Sequence, residues 1–198
     1  MNGAHGCIDG TNGGGALMGA FINVLVVQNR SGEAVRNALE ALGDNPAWNL
    51  IPGQCRYQER GGGVSVLLSD MCSGYDAMTQ ELSKELACPV MLCYIYDGDF
   101  WGYFFFDSGE HLDAFMPMPY YFEEMPEEEQ QRVKGNSRLI AERFNVKEED
   151  VAQYLQLWTE QDLNGNEPGY AYPDDEFSIG EDWQMADFMR AIGHPYDW

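Results

Sequence analysis

Residues 21–28 read FINVLVVQ, a β-branched and apolar run without polar alternation, which predicts a strand buried on both faces. Ser31 then precedes a stretch in which Val35, Ala38, Leu39 and Leu42 share one face at helical spacing, with Gly43 as its stop. Beyond Asn45 and Pro46, short strands are expected at residues 47–51 and 55–59. Gly61, Gly62 and Gly63 then form a loop leading to a strand at 64–69. A second helix is predicted over residues 75–87, where Tyr75, Met78, Leu82 and Leu86 line one side and Pro89 ends it.

A meander follows. The apolar runs 90–96 (VMLCYIY), 99–106 (DFWGYFFF) and 111–115 are separated by Asp97-Gly98 and by Asp107-Ser108-Gly109, the punctuation of antiparallel hairpins. The fold class this predicts is α+β. Two βαββ-like halves would form one mixed or antiparallel sheet with helices packed on it, a ferredoxin-like or related arrangement. Residues 18–122 are assigned to this sheet domain. Residues 1–17, Gly-rich and without apolar periodicity, read as a disordered head. Residues 123–198 read as an acidic helical extension packed on the sheet, with helices expected at 127–133, 137–144, 147–160 and 182–192.

Charge narrows the function classes. The 198 residues include 33 Asp or Glu against 11 Lys or Arg, a net charge of -22. Residues 1–106 account for -6 of this and residues 107–198 for -16. Binding to nucleic acid or to an anionic membrane surface relies on clustered bases, so both are excluded as partners. With 44% hydrophobic and 13% aromatic residues, the chain has ample material for a core. The five cysteines (Cys7, Cys55, Cys72, Cys88, Cys93) are odd in number and lack a C-x-x-C pair, which suits reduced thiols in a cytoplasmic protein. No leader pattern opens the sequence and no run is long enough to span a membrane.

Residues 139–155 resemble the helix-turn-helix pattern of bacterial regulators, with Ala141 at the close-packed position, Asn145 at the turn, and Val146 and Val151 as the buried pair. The resemblance implies two helices joined by a sharp turn. It does not imply DNA binding, because the second helix would offer Glu148, Glu149, Asp150 and Gln153 to the phosphates.

The remaining chemistry is sparse. Asp97 and Asp99 flank a turn and, with His111, are the candidates for a small hydrolase or metal-dependent enzyme; Asp76, Glu110 or Asp113 would have to complete a cation site through the fold. His111 is also the one histidine suited to act as a base, for Cys93 or another thiol. Asp162, Asn164 and Asn166 begin like a calcium loop, which then fails at Glu167 and Pro173. No nucleophile elbow or dinucleotide fingerprint is present, and Arg60-Gly-Gly-Gly is a hairpin with no helix behind it to cradle a phosphate. No cofactor is expected.

Residues 100–106 place large rings on both faces of one strand. One face can meet the early helices; the other must be covered by the C-terminal section or by a partner. Residues 81–122 also carry a family likeness: Glu81-Leu-Ser-Lys, the Asp-x-Asp turn, the aromatic strand, the Asp-x-Gly turn, His-Leu-Asp and the Pro-x-Tyr-Phe close. This stretch resembles a group of uncharacterised bacterial α+β proteins. The resemblance implies a bacterial origin and the meander, and carries no activity.

The expectation is therefore a non-enzymatic protein acting by protein binding, an immunity-like or antitoxin-like inhibitor of a basic partner, with homo-oligomerisation left open. The residues expected to bind are Trp101, Tyr103, Tyr120, Tyr121, Glu148, Glu149 and Asp150.

Overall fold

A computed structural model describes residues 19–70, 72–122, 125–164 and 169–198. The expected head at 1–17, with Cys7, and the middle of the calcium-like loop lie outside these residues. The α+β class holds. Six strands, β1 (Ile22–Gln28), β2 (Arg56–Arg60), β3 (Gly63–Leu67), β4 (Pro89–Tyr96), β5 (Phe100–Asp107) and β6 (Glu110–Phe115), form one sheet. Its order is β2-β3-β1-β4-β5-β6, and every neighbouring pair is antiparallel. The first four strands thus have the split βαβ order of a ferredoxin-like unit, and β5 and β6 extend it as a meander.

Two regular helices, α1 (Gly32–Gly43) and α2 (Tyr75–Leu86), cover one face. The Ser31 hydroxyl accepts the Ala34 amide at 3.3 Å and caps α1. Val35, Leu39, Met78 and Leu82 bury against Leu25, Val27, Val66 and Leu92. Each such side chain contributes roughly 1.5–3 kcal/mol by leaving water. The turns after β4 and β5 use left-handed backbone at Asp97 (φ 54°) and Gly98 (φ 73°), and at Ser108 (φ 52°) and Gly109 (φ 86°). This is the twist that tight antiparallel hairpins require.

The other face is sealed by the C-terminal section: α3 (Glu127–Arg132), α4 (Ser137–Phe144), α5 (Glu160–Asn164) and α6 (Gln184–Ala191) with the loops between them. Ile140, Val151, Tyr154, Met185, Phe188 and Met189 share one core with Val24, Met91, Cys93, Trp101 and Phe105. Phe188 lies 5.0 Å from Trp101 and stacks on Tyr103 at 5.6 Å. Buried polar groups fix this irregular layer. The Trp101 indole donates to Gln184 at 3.1 Å, and Tyr154 donates to Asp175 at 2.6 Å. The fully buried Asp187 accepts the amides of Glu176 and Phe177 and lies 2.6 Å from Arg190.

Two expected elements differ. Residues 47–51 were expected as a strand, but Asn45 caps the 3-10 turn Pro46–Trp48, because its side chain takes the Ala47 amide and Pro46 presets a helical φ. The expected helix at 147–160, and with it the second half of the helix-turn-helix resemblance, is replaced by two 3-10 turns, Glu148–Asp150 and Ala152–Tyr154. Val151 and Tyr154 are drawn into the core there, one at the junction of the two turns and one at the end of the second. Asn145 does take the left-handed turn conformation (φ 54°) after α4.

Candidate functional site: an aromatic end beside the β4–β5 turn

Alternation along β4 and β5 sends Tyr94, Tyr96, Phe100, Gly102 and Phe104 to the helix-covered face, and Ile95, Trp101, Tyr103 and Phe105 to the sealed one. The helix α2 begins at Tyr75, whose ring is 6.0 Å from Tyr94, and runs away towards Gly109, where Gln80 donates to the Gly109 carbonyl. The first turn of α2 therefore lies beside the Tyr96–Phe100 end of the hairpin. This leaves a cavity of about 320 Å³ lined by Tyr75, Asp76, Tyr94, Tyr96, Phe100, Phe104, Met116 and Phe122.

The walls are locked to one another. Tyr94 stacks on Phe104 at 5.4 Å and Tyr96 on Phe100 at 5.6 Å. Phe122 meets Tyr96 edge-on at 5.1 Å. Gly102 lies under Tyr94, and a Cβ there would fall 2.6 Å from the Tyr94 hydroxyl and 2.5 Å from the Phe115 carbonyl, so only glycine admits the ring. Burial pushes the Tyr94 phenol up, with Tyr75 and Asp76 adding to the shift. Burial likewise raises Tyr75, followed by Tyr96 and Asp76. The Asp76 carboxylate is thus close enough to act on both phenols.

A second cavity, about 360 Å³, lies across the connector and is lined by Pro117, Met118, Pro119, Tyr120, Tyr121, Leu157, Trp158, Glu160 and Leu163. The Trp158 amide donates to the Pro117 carbonyl at 3.0 Å, pinning the connector. The Trp158 indole N–H is buried without an acceptor among the described residues. Tyr121 donates to Asp99, which pushes its phenol up to about 12, and Tyr121 packs on Phe100 at 5.0 Å.

Exposed apolar side chains concentrate at this end. Phe21 (44% exposed), Tyr120 (59%) and Phe122 (57%), with Leu157 and Leu163, are five of the seven large hydrophobic residues exposed among the described residues. Phe21 packs on Tyr96 at 5.2 Å, Phe122 on Tyr121 at 4.9 Å, and Tyr120, Leu157 and Leu163 line one cavity, so the five are contiguous. Neither cavity is lined by a Lys or Arg, whereas Asp76 and Glu160 line them and Asp97 and Asp99 stand at the turn between Tyr96 and Phe100.

The expected binding residues divide. Tyr120 and Tyr121 belong to this end. Trp101 and Tyr103 do not: both are 0% exposed, and Tyr103 donates to Asp113 at 2.6 Å beneath the C-terminal section. They are core, because the C-terminal section supplies the cover that a partner was also a candidate for. Glu148, Glu149 and Asp150 form one exposed 3-10 turn, where Glu148 accepts Ser137 and Glu149 pairs with Lys147 at 3.2 Å. Glu148 and Asp150 border a hollow of about 710 Å³, but its charges face one another, as in the Arg138–Glu142 pair at 3.1 Å, and no aromatic residue lines it.

The enzyme constellation does not assemble. His111 pairs with Phe106 across β5–β6, roughly 20 Å along the sheet from Asp97 and Asp99 at about 3.3 Å per residue. Cys93 is fully buried on the sealed face and its thiol is raised by burial, while His111 is exposed and packs edge-on against Phe106 at 5.4 Å. Asp162 of the calcium-like loop already accepts the Thr159 amide and hydroxyl. Among the described residues no three His, Cys, Asp or Glu side chains are gathered as a metal site, and no helix is long and apolar enough to cross a membrane.

Sequence reasoning missed Tyr75, Asp76, Tyr94, Tyr96, Phe104 and Phe122 as members of one site. The readable signal was Tyr94 and Tyr96 at alternate positions of a strand, opposite a neighbouring strand whose only small residue is Gly102. Comparison with family models, with curated proteins and with solved structures finds no match to this chain.

Proposed function

We propose that this chain is a non-enzymatic binding protein that docks a basic protein partner on its aromatic end, in the manner of an immunity-like or antitoxin-like inhibitor. One observation carries the reading: five exposed large apolar side chains form a single patch, flanked by carboxylates and lacking bases in both its cavities. Exposed aromatic anchors supply the contact energy of an interface, and a net charge of -22 steers a cationic partner towards it. Cytoplasmic action belongs to the same proposal, supported by four cysteines that are buried and free.

The test is capture from the native host by wild type, by Phe122→Ala/Tyr120→Ala, and by Glu33→Gln/Glu40→Gln on α1, which packs on β2 and β3 at the other end of the sheet. The expected result is one basic protein held by wild type and by the α1 variant but lost from the aromatic-end variant. Equal recovery on all three, or recovery of no basic protein by wild type, contradicts the proposal. Light scattering of the free chain identifies the competing outcome, in which a second copy of the chain occupies the patch.

A further inference from the structure

We infer that the cavity between α2 and the β4–β5 hairpin is the seat for one arginine side chain of the protein partner. This rests on the reading that the aromatic end docks a basic protein, and it names the group recognised there. The cavity is lined by the rings of Tyr96, Phe100, Phe104 and Phe122, and aromatic rings attract cations. Its polar groups are acceptors of the kind a guanidinium needs, namely the Asp76 carboxylate and the phenol oxygens of Tyr75 and Tyr94. The Tyr94 hydroxyl stands above Gly102 and adds a phenol oxygen to this lining.

Size and charge restrict the occupant further. About 320 Å³ is at the small end for a ligand pocket, suited to a single side chain. An anion would have the N-terminus of α2 in its favour, but Asp76 occupies that first turn and no base lines the walls. Arginine suits the cavity better than lysine. Its planar guanidinium stacks on rings while donating in fixed directions to several oxygens, whereas an ammonium is a more strongly hydrated point charge.

The experiment uses the full chain and three capped tripeptides, Gly-Arg-Gly, Gly-Lys-Gly and the neutral Gly-citrulline-Gly, titrated while the ring resonances of Tyr75, Tyr94 and Phe122 are followed by NMR. Saturable shifts with the arginine peptide are expected, at a dissociation constant on the order of 1 mM. Binding should be at least about tenfold weaker for citrulline, and about threefold or more weaker for lysine. Asp76→Asn, an exposed substitution, should weaken the arginine peptide by about fivefold, and Tyr94→Phe, which keeps the stack on Phe104, by about threefold. No saturable shift with the arginine peptide overturns the inference. So do equal affinity for arginine and citrulline, equal affinity for arginine and lysine, or indifference to Asp76→Asn. The two readings fail separately: loss of partner capture by Phe122→Ala/Tyr120→Ala with no effect of Asp76→Asn on capture or on the peptides keeps the docking surface and removes the arginine seat.

Discussion

The two faces of strands β4 and β5 carry similar rings and have opposite fates. On one, Trp101, Tyr103 and Phe105 are sealed beneath α6, with Phe188 stacked on Tyr103 at 5.6 Å. On the other, Tyr94 and Phe100 are equally buried, but with Tyr96, Phe104 and the exposed Phe122 they line a cavity beside the first residues of α2. Aromatic content alone therefore says little about binding. What decides it is whether the chain brings its own cover, and here the cover is complete on one face and incomplete at one end of the other.

That contrast can be broken by substitution. Phe188→Ala opens the sealed face and should cost about 3–5 kcal/mol in denaturant unfolding, the usual range for a fully buried ring. A loss below about 1 kcal/mol would mean that the C-terminal section is not a cover at all.

The next effect comes from His194, which lies 3.1 Å from Ser65 between the C-terminal segment and the sheet. Burial first, then the nearby Arg60, lowers its pKa from 6.5 to about 4. In that window the unfolded state binds the proton and the folded state resists it, so stability falls as pH drops from about 6.5 towards 4. The full contribution is roughly 3 kcal/mol. Replacing His194 with Gln should remove this share of the pH dependence, measured as the difference between the two proteins' unfolding curves at pH 7 and pH 4.5. Parallel curves would place His194 in water.

The smallest stability change belongs to the open end. Phe122→Ala should alter unfolding by less than about 1 kcal/mol, because the ring is more than half exposed. The same substitution should weaken partner capture by tenfold or more if Phe122 is an interface anchor. A large stability loss with capture intact would turn the open face into a second sealed one.

Much of the sheet was legible in the sequence, because its elements announce themselves locally. The β-branched run of β1, the Ser31 cap, and the Asp97-Gly98 and Ser108-Gly109 turns each carry a signal within a few residues. The C-terminal cover was not legible in the same way. Glu148–Asp150 and Ala152–Tyr154 read as helix by composition, yet Val151 and Tyr154 are pulled into the core and the backbone tightens into 3-10 turns. Contacts such as Tyr154 with Asp175 and Trp101 with Gln184 link positions 21 and 83 residues apart, and no local pattern encodes them. At the candidate site, Tyr120 and Tyr121 were readable as an apolar connector. The cavity was not, because it is built jointly by the start of α2, the β4–β5 hairpin and Phe122, a relation between elements that lies outside any one of them.

Hydrogen–deuterium exchange of the full chain with and without the captured basic partner tests the central claim most directly. Partner-induced protection confined to the Tyr96–Phe100 hairpin end, the start of α2 and the connector at 117–122 is the predicted result. Protection centred on α3 or on Glu148–Asp150, with the aromatic end unchanged, would show that the partner reads the acidic surface and would contradict the account.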